Sequence, residues 1–219
     1  MNLSPIKKPV SLKEQAYTSI KQAIYSNTLK PGTPLTEEQL SASLSISRTP
    51  IRSALQQLVY EKLATADSTG HIFVSTISEK DVQDITILRL NLEPLALDLG
   101  NFPISDEFLR TLKDLIKQQN DLFTDGPANN IRFAELDCEF HSCLAEICDN
   151  TLLIETIHRI NAMVVRILVL SGTLDSYKNN AVEEHALILR YLEQNQKEFA
   201  RVALQEHIKN VGNRMLPES

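Results

Sequence analysis

The sequence predicts a mainly α-helical protein in two parts: a small helical domain that ends in a β-hairpin, then a longer, all-helical antiparallel bundle. Two observations support this prediction. In the first third, helical apolar spacing gives way to two short strand-like runs around the turn Asp67–Gly70, whereas from Ser78 onward only helical spacing recurs. The 219 residues are enough for two domains with separate cores, which we place at residues 1–76 and 77–219.

The first domain is predicted to contain three helices, at about 12–25, 36–44 and 48–62, and two strands, at 64–66 and 71–75. Thr36 and Gln39 have the spacing of a capping box, which begins the second helix. The stretch from Ser45 to Ser47 is short enough to be only a tight turn, and Ser47 is the expected N-cap of the third helix. Gly70 lies near the tip of the hairpin.

The second domain is predicted to consist of six helices, at about 78–99, 105–123, 130–149, 151–171, 176–194 and 196–215. Ser78 and Asp81 form a second capping box, and Gly100 is expected to end the first of these helices. Pro94 should kink that helix near its middle. Short connections between helices predict antiparallel neighbours, as in a bundle.

The net charge of −6 argues against nucleic-acid binding, but the charge is unevenly distributed. Residues 1–75 carry eight Lys and Arg against five Asp and Glu, whereas residues 76–219 carry 14 against 23. A basic first third joined to an acidic remainder indicates two different tasks on one chain.

Three features predict a cytoplasmic protein without a membrane anchor. No apolar run approaches the roughly 20 residues of a membrane-spanning helix. The segment Met1–Pro5 lacks the apolar core of a signal peptide. The cysteines, Cys138, Cys143 and Cys148, lie in one short stretch, and an odd, clustered set is a poor disulfide framework.

The two short helices joined by a tight turn and followed by a hairpin are the pattern of a winged helix-turn-helix. In the helix predicted at 48–62 the apolar residues fall on one face, which leaves Arg48, Thr49 and Arg52 on the other. Arginine can bond guanine O6 and N7 with two hydrogen bonds, and a threonine methyl can contact thymine. The hydroxyl of Ser47 is suited to a phosphate.

This region resembles the DNA-binding domain of the GntR family of regulators. The residues that carry the resemblance are Leu29–Leu35, Glu38–Leu40, Ser47–Leu55, Leu58, Gly70 and Val74. It implies DNA contacts by Arg48, Thr49 and Arg52, and by Gly70 at a wing tip that enters the minor groove. The chain departs from the family at three positions: Ser45 and Lys62 stand where glycine is frequent, and Ser53 where glutamate is frequent.

The helical second domain contains four of the five histidines. Asp137 and His141 are four residues apart and can reach one ion from a single helix. His185 and His207 lie on the last two predicted helices and meet at one height if those helices pair antiparallel. One carboxylate and three imidazoles suit a zinc, nickel or manganese ion. From spacing alone, histidines that only pack or lie on the surface remain the more frequent case.

The second domain also resembles the FCD ligand-sensing domain of the FadR subfamily, through Arg89–Ala96, Asp137–His141, Glu184, His185, Ile188, Ala200, His207 and Ile208. The resemblance implies a metal site formed by Asp137, His141, His185 and His207, with zinc as the expected ion. It also implies a small carboxylate effector on the open positions of the ion. Arg89 is the first candidate for its second anchor and Arg166 the next, because a guanidinium binds a carboxylate bidentately. The alternative for both arginines is an ion pair within the bundle.

The sequence therefore predicts a ligand-responsive transcription regulator that binds double-stranded operator DNA as a homodimer. The expected action is repression that a carboxylate effector releases. One alternative is a metal-dependent enzyme built on the bundle, but no general base comparable to the Glu of a His-Glu-x-x-His motif accompanies the histidines. A second alternative is an interaction module whose DNA domain no longer reads sequence, and the presence of both Arg48 and Arg52 argues against it.

Overall fold

The structure is a computed structural model that describes residues 10–123, 127–171 and 173–215. The segment Met1–Pro5, on which the prediction of no signal peptide rests, lies outside these ranges. The chain divides into two compact units, Met1–Thr76 and Ile77–Ser219. The predicted fold class is confirmed: helices dominate, and a small antiparallel hairpin accompanies the first helices.

The first unit contains α1 (Leu12–Tyr25), α2 (Glu37–Leu44), α3 (Arg48–Tyr60), β1 (Ala64–Ala66) and β2 (Ile72–Val74). The strands pair antiparallel with Ala64 opposite Val74. The core between α1 and α3 is apolar because each helix has one stripe of aliphatic side chains at helical spacing. These buried residues are Ala16, Ile20, Ile24, Ile51, Ala54, Leu55 and Leu58.

The helix ends of this unit differ from the prediction in detail. Thr36 caps α2 by accepting a hydrogen bond from the backbone N–H of Gln39, as expected. Ser47 occupies the N-cap position of α3, but its hydroxyl does not cap the helix. The helix α3 ends at Tyr60 rather than Lys62, because Lys62 adopts the left-handed backbone conformation with φ of 59°. The second strand is shorter than predicted and ends at Val74.

Ser45 is the C-cap of α2 and also has a left-handed backbone, with φ of 54° and ψ of 38°. Together with Lys62 it occupies a conformation that is costly for residues other than glycine. Ser45 and Lys62, which stand where the GntR pattern often has glycine, therefore keep the backbone conformation that glycine would adopt at these turns. Each leaves a small local strain that the rest of the unit must offset.

The second unit contains α4 (Glu79–Leu99), α5 (Asp106–Asp121), α6 (Pro127–Ala145), α7 (Thr151–Ser171), α8 (Leu174–Glu193) and α9 (Lys197–Met215). The closest helix pairs are α8 with α9, α6 with α7 and α4 with α9, while α5 packs on both α6 and α8. The helix predicted at 130–149 was wrong at both ends, because α6 begins at Pro127 and residues 146–149 form a turn.

The long helix α4 begins with the predicted capping box. The Ser78 hydroxyl accepts from the backbone N–H of Asp81, whose carboxylate accepts from the backbone N–H of Ser78. Pro94 lies buried inside the helix, and the helix continues beyond it to Leu99. Gly100 ends the helix in an extended conformation, and a Cβ there would lie 2.9 Å from Ile147 Cγ2. Close approach, rather than a left-handed cap, explains this glycine.

Within the described ranges, none of the helices is both long and apolar enough to cross a membrane.

Candidate functional site

The outward face of α3 carries the residues proposed to contact DNA. Ser47, Arg48, Thr49 and Arg52 are exposed, whereas the opposite face of the helix is buried against α1 and α2. The exposed and the buried residues lie on opposite faces of α3 because the apolar residues recur at helical spacing. The face is therefore open to a large ligand without any rearrangement of the core.

Both exposed arginines lie beside glutamates of α2. Arg52 donates from Nε to Glu37 Oε1 at 2.7 Å and from Nη2 to Glu37 Oε2 at 2.9 Å. Arg48 Nη2 lies 3.8 Å from Glu38 Oε1. The hydrogen bond from Arg52 is the main cause of the lowered pKa of Glu37. Sequence spacing does not predict these pairs, because the partners lie on different helices.

The turn of the hairpin holds Gly70 in the left-handed region, with φ of 86°. Asp67 Oδ1 fixes the turn by accepting from the backbone N–H groups of Thr69 and His71, each at 2.9 Å. Apart from Gly70 itself and its two chain neighbours, no atom of the described residues lies within 4 Å of a Cβ built on Gly70. The glycine is therefore required by its backbone conformation and presents an unobstructed tip.

The second unit brings Asp137 and His141 of α6, His185 of α8 and His207 of α9 into one buried cluster. One potential ligand atom from each residue lies within 4.8 Å of the others. The three Nε2 atoms are closest: His141 to His207 is 3.0 Å, His185 to His207 is 3.2 Å, and His185 to His141 is 3.3 Å. Asp137 Oδ1 lies 3.6 Å from His185 Nε2.

The other ring nitrogen of each histidine faces an oxygen acceptor. An Nδ1 beside a carboxylate or an amide oxygen carries the proton, so the Nε2 of the same neutral ring is an unprotonated lone pair. The three Nδ1 contacts are His141 with Glu93 Oε2 at 2.7 Å, His185 with Gln119 Oε1 at 2.8 Å, and His207 with Glu184 Oε2 at 2.8 Å.

Three converging lone pairs without a proton between them repel one another, and a cation removes that repulsion. Imidazole nitrogens about 2.0–2.1 Å from an ion are about 2.9 Å apart at right angles and about 3.4 Å apart in a tetrahedron. The observed separations of 3.0–3.3 Å lie between these limits. The donor set and its spacing therefore fit one divalent transition-metal ion with Asp137 as the fourth ligand.

Burial favours the neutral form of His185 and His207, and neighbouring donors favour the ionised form of Glu93 and Glu184. Burial lowers the pKa of His185 well below its ordinary value, and burial is also the main cause of the lowered pKa of His207. Burial opposes ionisation of Glu93, but Arg89 and His141 outweigh it and lower its pKa to about 2. Burial likewise opposes ionisation of Glu184, and hydrogen bonds, first from His207, lower its pKa to about 2.

Arg89 lies fully buried on α4 and donates from Nε to Glu93 Oε1 at 2.6 Å. The ion pair that sequence analysis gave as the alternative role of Arg89 is therefore present. Among the described residues, however, Nη1 and Nη2 of Arg89 have no hydrogen-bond partner, and neither has Asp137 Oδ2 or Gln119 Nε2. Glu93 Oε2 and His141 Nδ1 lie 2.7 Å apart, but without hydrogen-bond alignment. Buried polar groups are nearly always paired, so this group of atoms around the cluster calls for a further ligand.

Arg166 lies on α7, a helix that contributes none of the four candidate metal ligands. Its charge contributes to the lowered pKa of Asp81 at the start of α4, a shift dominated by the Ser78 hydroxyl. His158 contacts the Ser142 carbonyl oxygen and stays outside the cluster. Burial raises the pKa of Cys138 well above its ordinary value and that of Cys143 to about 11, and neither thiol belongs to the group of described side chains that could hold a metal ion.

Three residues that face the candidate metal ligands were not predicted as site residues: Glu93, Gln119 and Glu184. Glu93 is four residues from Arg89, and Glu184 precedes His185, so helical spacing and adjacency could have indicated both. Gln119 is separated from His185 by 66 residues, and no sequence pattern marks it.

Residues 12–74 match the family described as bacterial regulatory proteins, gntR family, and residues 84–210 match the FCD domain. The chain belongs to the gntR family of bacterial regulators and carries an FCD domain. This confirms both resemblances. The domain pair is that of a transcription regulator, and the members it resembles are named as regulators rather than enzymes.

Two curated relatives align with nearly the whole of this GntR-family regulator. The HTH-type transcriptional regulator YdhC of Bacillus subtilis is 28% identical over 200 residues, which cover 91% of this chain and 89% of YdhC. The HTH-type transcriptional repressor RspR of Escherichia coli is 25% identical over 198 residues, which cover 90% and 86%. A crystal structure of a GntR regulator from Rhodococcus shares the fold, with a TM-score of 0.73, 18% identity and coverage of 94% and 98%.

Proposed function

We propose that this regulator binds operator DNA through residues 1–76 and releases it when a small carboxylate binds at a metal site in residues 77–219. The observation that carries the proposal is the convergence of three histidine Nε2 atoms beside a buried arginine with unpaired Nη groups. The candidate cation site and the candidate anion anchor are adjacent, because Arg89 donates to the same Glu93 that lies 2.7 Å from His141. The relative RspR is named a repressor, which supports repression as the action on DNA.

The metal is zinc in this proposal, with nickel and manganese as the alternatives. His141, His185, His207 and Asp137 are its ligands. Zinc accepts imidazole and carboxylate ligands and can expand from four to five positions, which admits an effector oxygen. A divalent ion bound there would supply the positive charge that attracts this oxygen.

The charges around the cluster favour an anionic effector. Glu93, Glu184 and Asp137 contribute three negative charges, while Arg89 and Arg214, which binds Glu184, contribute two positive charges. A divalent ion leaves one positive charge in excess, in a region where an unbalanced charge is costly. A carboxylate restores neutrality and offers two oxygens to the Nη1 and Nη2 groups of Arg89. Arg166 remains a second candidate residue for contacting the effector.

In the DNA-binding unit, Arg48 and Arg52 are proposed to bond guanine edges in the major groove, and Thr49 to contact a thymine methyl. Ser47 is proposed to donate to a phosphate, since its hydroxyl does not cap α3. Gly70 leads the hairpin tip into the minor groove. This placement requires operator DNA in the cytoplasm, where the three free cysteines also remain reduced.

One recognition helix makes few base contacts, so we propose a homodimer on a two-fold operator. An exposed apolar face on α4 supports this assembly. Ile87, Leu88, Leu95 and Leu99 are all large and exposed, and their spacing places them along one side of the helix. Leu88→Glu with Leu95→Glu should give a monomer by light scattering, and Leu152→Glu, an exposed leucine on α7, is the control. A monomeric wild-type protein on an operator would contradict the dimer.

The central test is a paired titration. A panel of small carboxylates is first screened for the acid that most raises the melting temperature of the zinc-loaded protein. Its affinity is then measured with and without an operator selected from random DNA. Coupling between two sites is reciprocal and typically about 5–150-fold, so each ligand should weaken the other by the same factor. Equal affinities with and without operator would contradict effector-controlled release.

A further inference from the structure

Glu93 lies between the two halves of the candidate effector site. Its Oε1 accepts from Arg89 Nε at 2.6 Å, and its Oε2 lies 2.7 Å from His141 Nδ1. The side chains of all three residues are almost completely buried. One carboxylate on α4 therefore contacts both the guanidinium that anchors an anion and a histidine that ligates the ion from α6.

Glu184 provides a natural comparison within the same site. It also accepts from a ligating histidine, His207, at 2.8 Å. Its remaining partners are Asn210 and Arg214, which lie on the same helix as His207. Glu184 thus orients one metal ligand, whereas it has no contact with Arg89 among the hydrogen bonds of the described residues.

We propose that Glu93 is a positioning residue that couples carboxylate recognition to metal binding. It holds His141 with Nε2 toward the ion, and it holds Arg89 with Nη1 and Nη2 unpaired and available. This inference rests on the proposed function and adds to it the residue that connects the two binding events. Glu184 supports metal binding alone.

The chemistry of the side chain makes the role specific to a carboxylate. Glu93 Oε1 accepts from Arg89 Nε–H, and its Oε2 lies 2.7 Å from His141 Nδ1 in a close contact without hydrogen-bond alignment, so the carboxylate offers one oxygen to each neighbour. An amide has one acceptor oxygen and a donating NH₂ group. In Glu93→Gln the NH₂ group must face Arg89 or His141, so one of these two contacts is lost.

The experiment compares Glu93→Gln with Glu184→Gln in the full chain. Zinc affinity is measured by competition with a chelator, and acetate binding to the zinc-saturated protein is measured by calorimetry. Loss of a partner behind a ligating histidine typically lowers metal affinity by about 10–100-fold, and we expect this for both variants. Both variants remove one negative charge from the site, so acetate affinity should be about tenfold or more lower in Glu93→Gln than in Glu184→Gln.

Glu93→Gln alone leaves the buried charge of Arg89 unpaired and can prevent folding. A second pair of variants therefore also replaces Arg89 with a neutral residue. Arg89→Met with Glu93→Gln keeps an oxygen acceptor for His141, whereas Arg89→Met with Glu93→Leu does not. The first should bind zinc about 10–100-fold more tightly than the second. Neither should bind acetate as wild type does.

The outcomes separate this inference from the proposed function. A wild-type protein that binds no zinc overturns both. A wild-type protein that binds zinc and acetate, with a Glu93→Gln variant whose acetate affinity is unchanged, overturns the coupling role alone. Equal zinc affinity in the two double variants overturns the role of Glu93 in orienting His141.

Discussion

Two arginine–glutamate pairs in this protein have nearly the same Nε–oxygen distance and opposite surroundings. Arg52 Nε lies 2.7 Å from Glu37, with the side chains 65% and 29% exposed, whereas Arg89 Nε lies 2.6 Å from Glu93, with 1% and 3% exposed. Water screens the first pair, so it contributes little to stability and exchanges its partner easily. The second pair lies in a low-dielectric interior, where neither charge can be left alone.

The difference suits the two tasks. An arginine that reads bases must leave its glutamate for guanine when DNA arrives, and an exposed pair allows this at little cost. An arginine that recognises a buried carboxylate must already point in one direction, and Glu93 fixes it through Nε while Nη1 and Nη2 stay unpaired. Burial, rather than the distance between the charges, therefore distinguishes a displaceable contact from a fixed one.

The largest expected effect tests this contrast directly. Arg89→Met leaves Glu93 as an uncompensated buried charge and should lower the free energy of unfolding by about 3–5 kcal/mol. Arg52→Met should leave it unchanged within error, since water replaces the lost partner. Urea unfolding of each purified variant measures both. Equal losses in the two variants would remove the distinction.

The control for Arg89→Met is the double variant Arg89→Met with Glu93→Gln, which keeps an oxygen acceptor for His141. It removes both buried charges and should recover most of the lost stability, because a neutral pair of similar volume avoids the desolvation cost. Failure to recover would show that packing rather than charge explains the effect.

The next effect concerns metal removal. At a free zinc concentration about 100 times the dissociation constant, binding should stabilise the folded chain by about 2.7 kcal/mol. Treatment with a chelator, or His141→Ala with His207→Ala, should therefore lower the melting temperature by several degrees. His158→Ala is the matched control, because His158 lies outside the cluster. A double variant that retains full zinc content would contradict the site.

A smaller effect is expected at the DNA face. Arg48→Ala and Arg52→Ala should each lower affinity for the selected operator by about tenfold to a hundredfold and relax base preference there. Weak, salt-dependent binding to random DNA should persist. Lys80→Ala removes the same charge from an exposed pair on α4 and serves as the control. Operator titrations at two salt concentrations distinguish these results, and wild-type affinity in both arginine variants would show that another surface reads the operator.

The smallest effect concerns the strained turns of the first unit. Ser45→Gly and Lys62→Gly relieve left-handed backbone conformations and should each stabilise the protein by a few tenths to about 1 kcal/mol. Ala42→Gly, in the interior of α2, should instead destabilise it by about 0.5–1 kcal/mol. Thermal melts of the three variants provide the comparison, and a loss of stability at Ser45 or Lys62 would contradict the assigned strain.

The sequence by itself determined the features that depend on neighbours within about four residues. The caps at Thr36 and Ser78, the buried stripe of α3 and the single face shared by Asp137 and His141 all follow from helical spacing and local hydrogen bonding. The family motifs added the remaining histidines by resemblance. Local rules failed where packing decides, as at Gly100, whose role comes from the approach of Ile147.

Only the tertiary structure decided which distant side chains meet. Gln119 faces His185 across 66 residues, and Glu37 reaches Arg52 from another helix. The convergence of three Nε2 atoms depends on how α6, α8 and α9 rotate about their axes, and spacing along the chain does not specify that rotation. The apolar stripes indicate which face of each helix is buried, but the packed core sets the angle at which the polar groups within it come together.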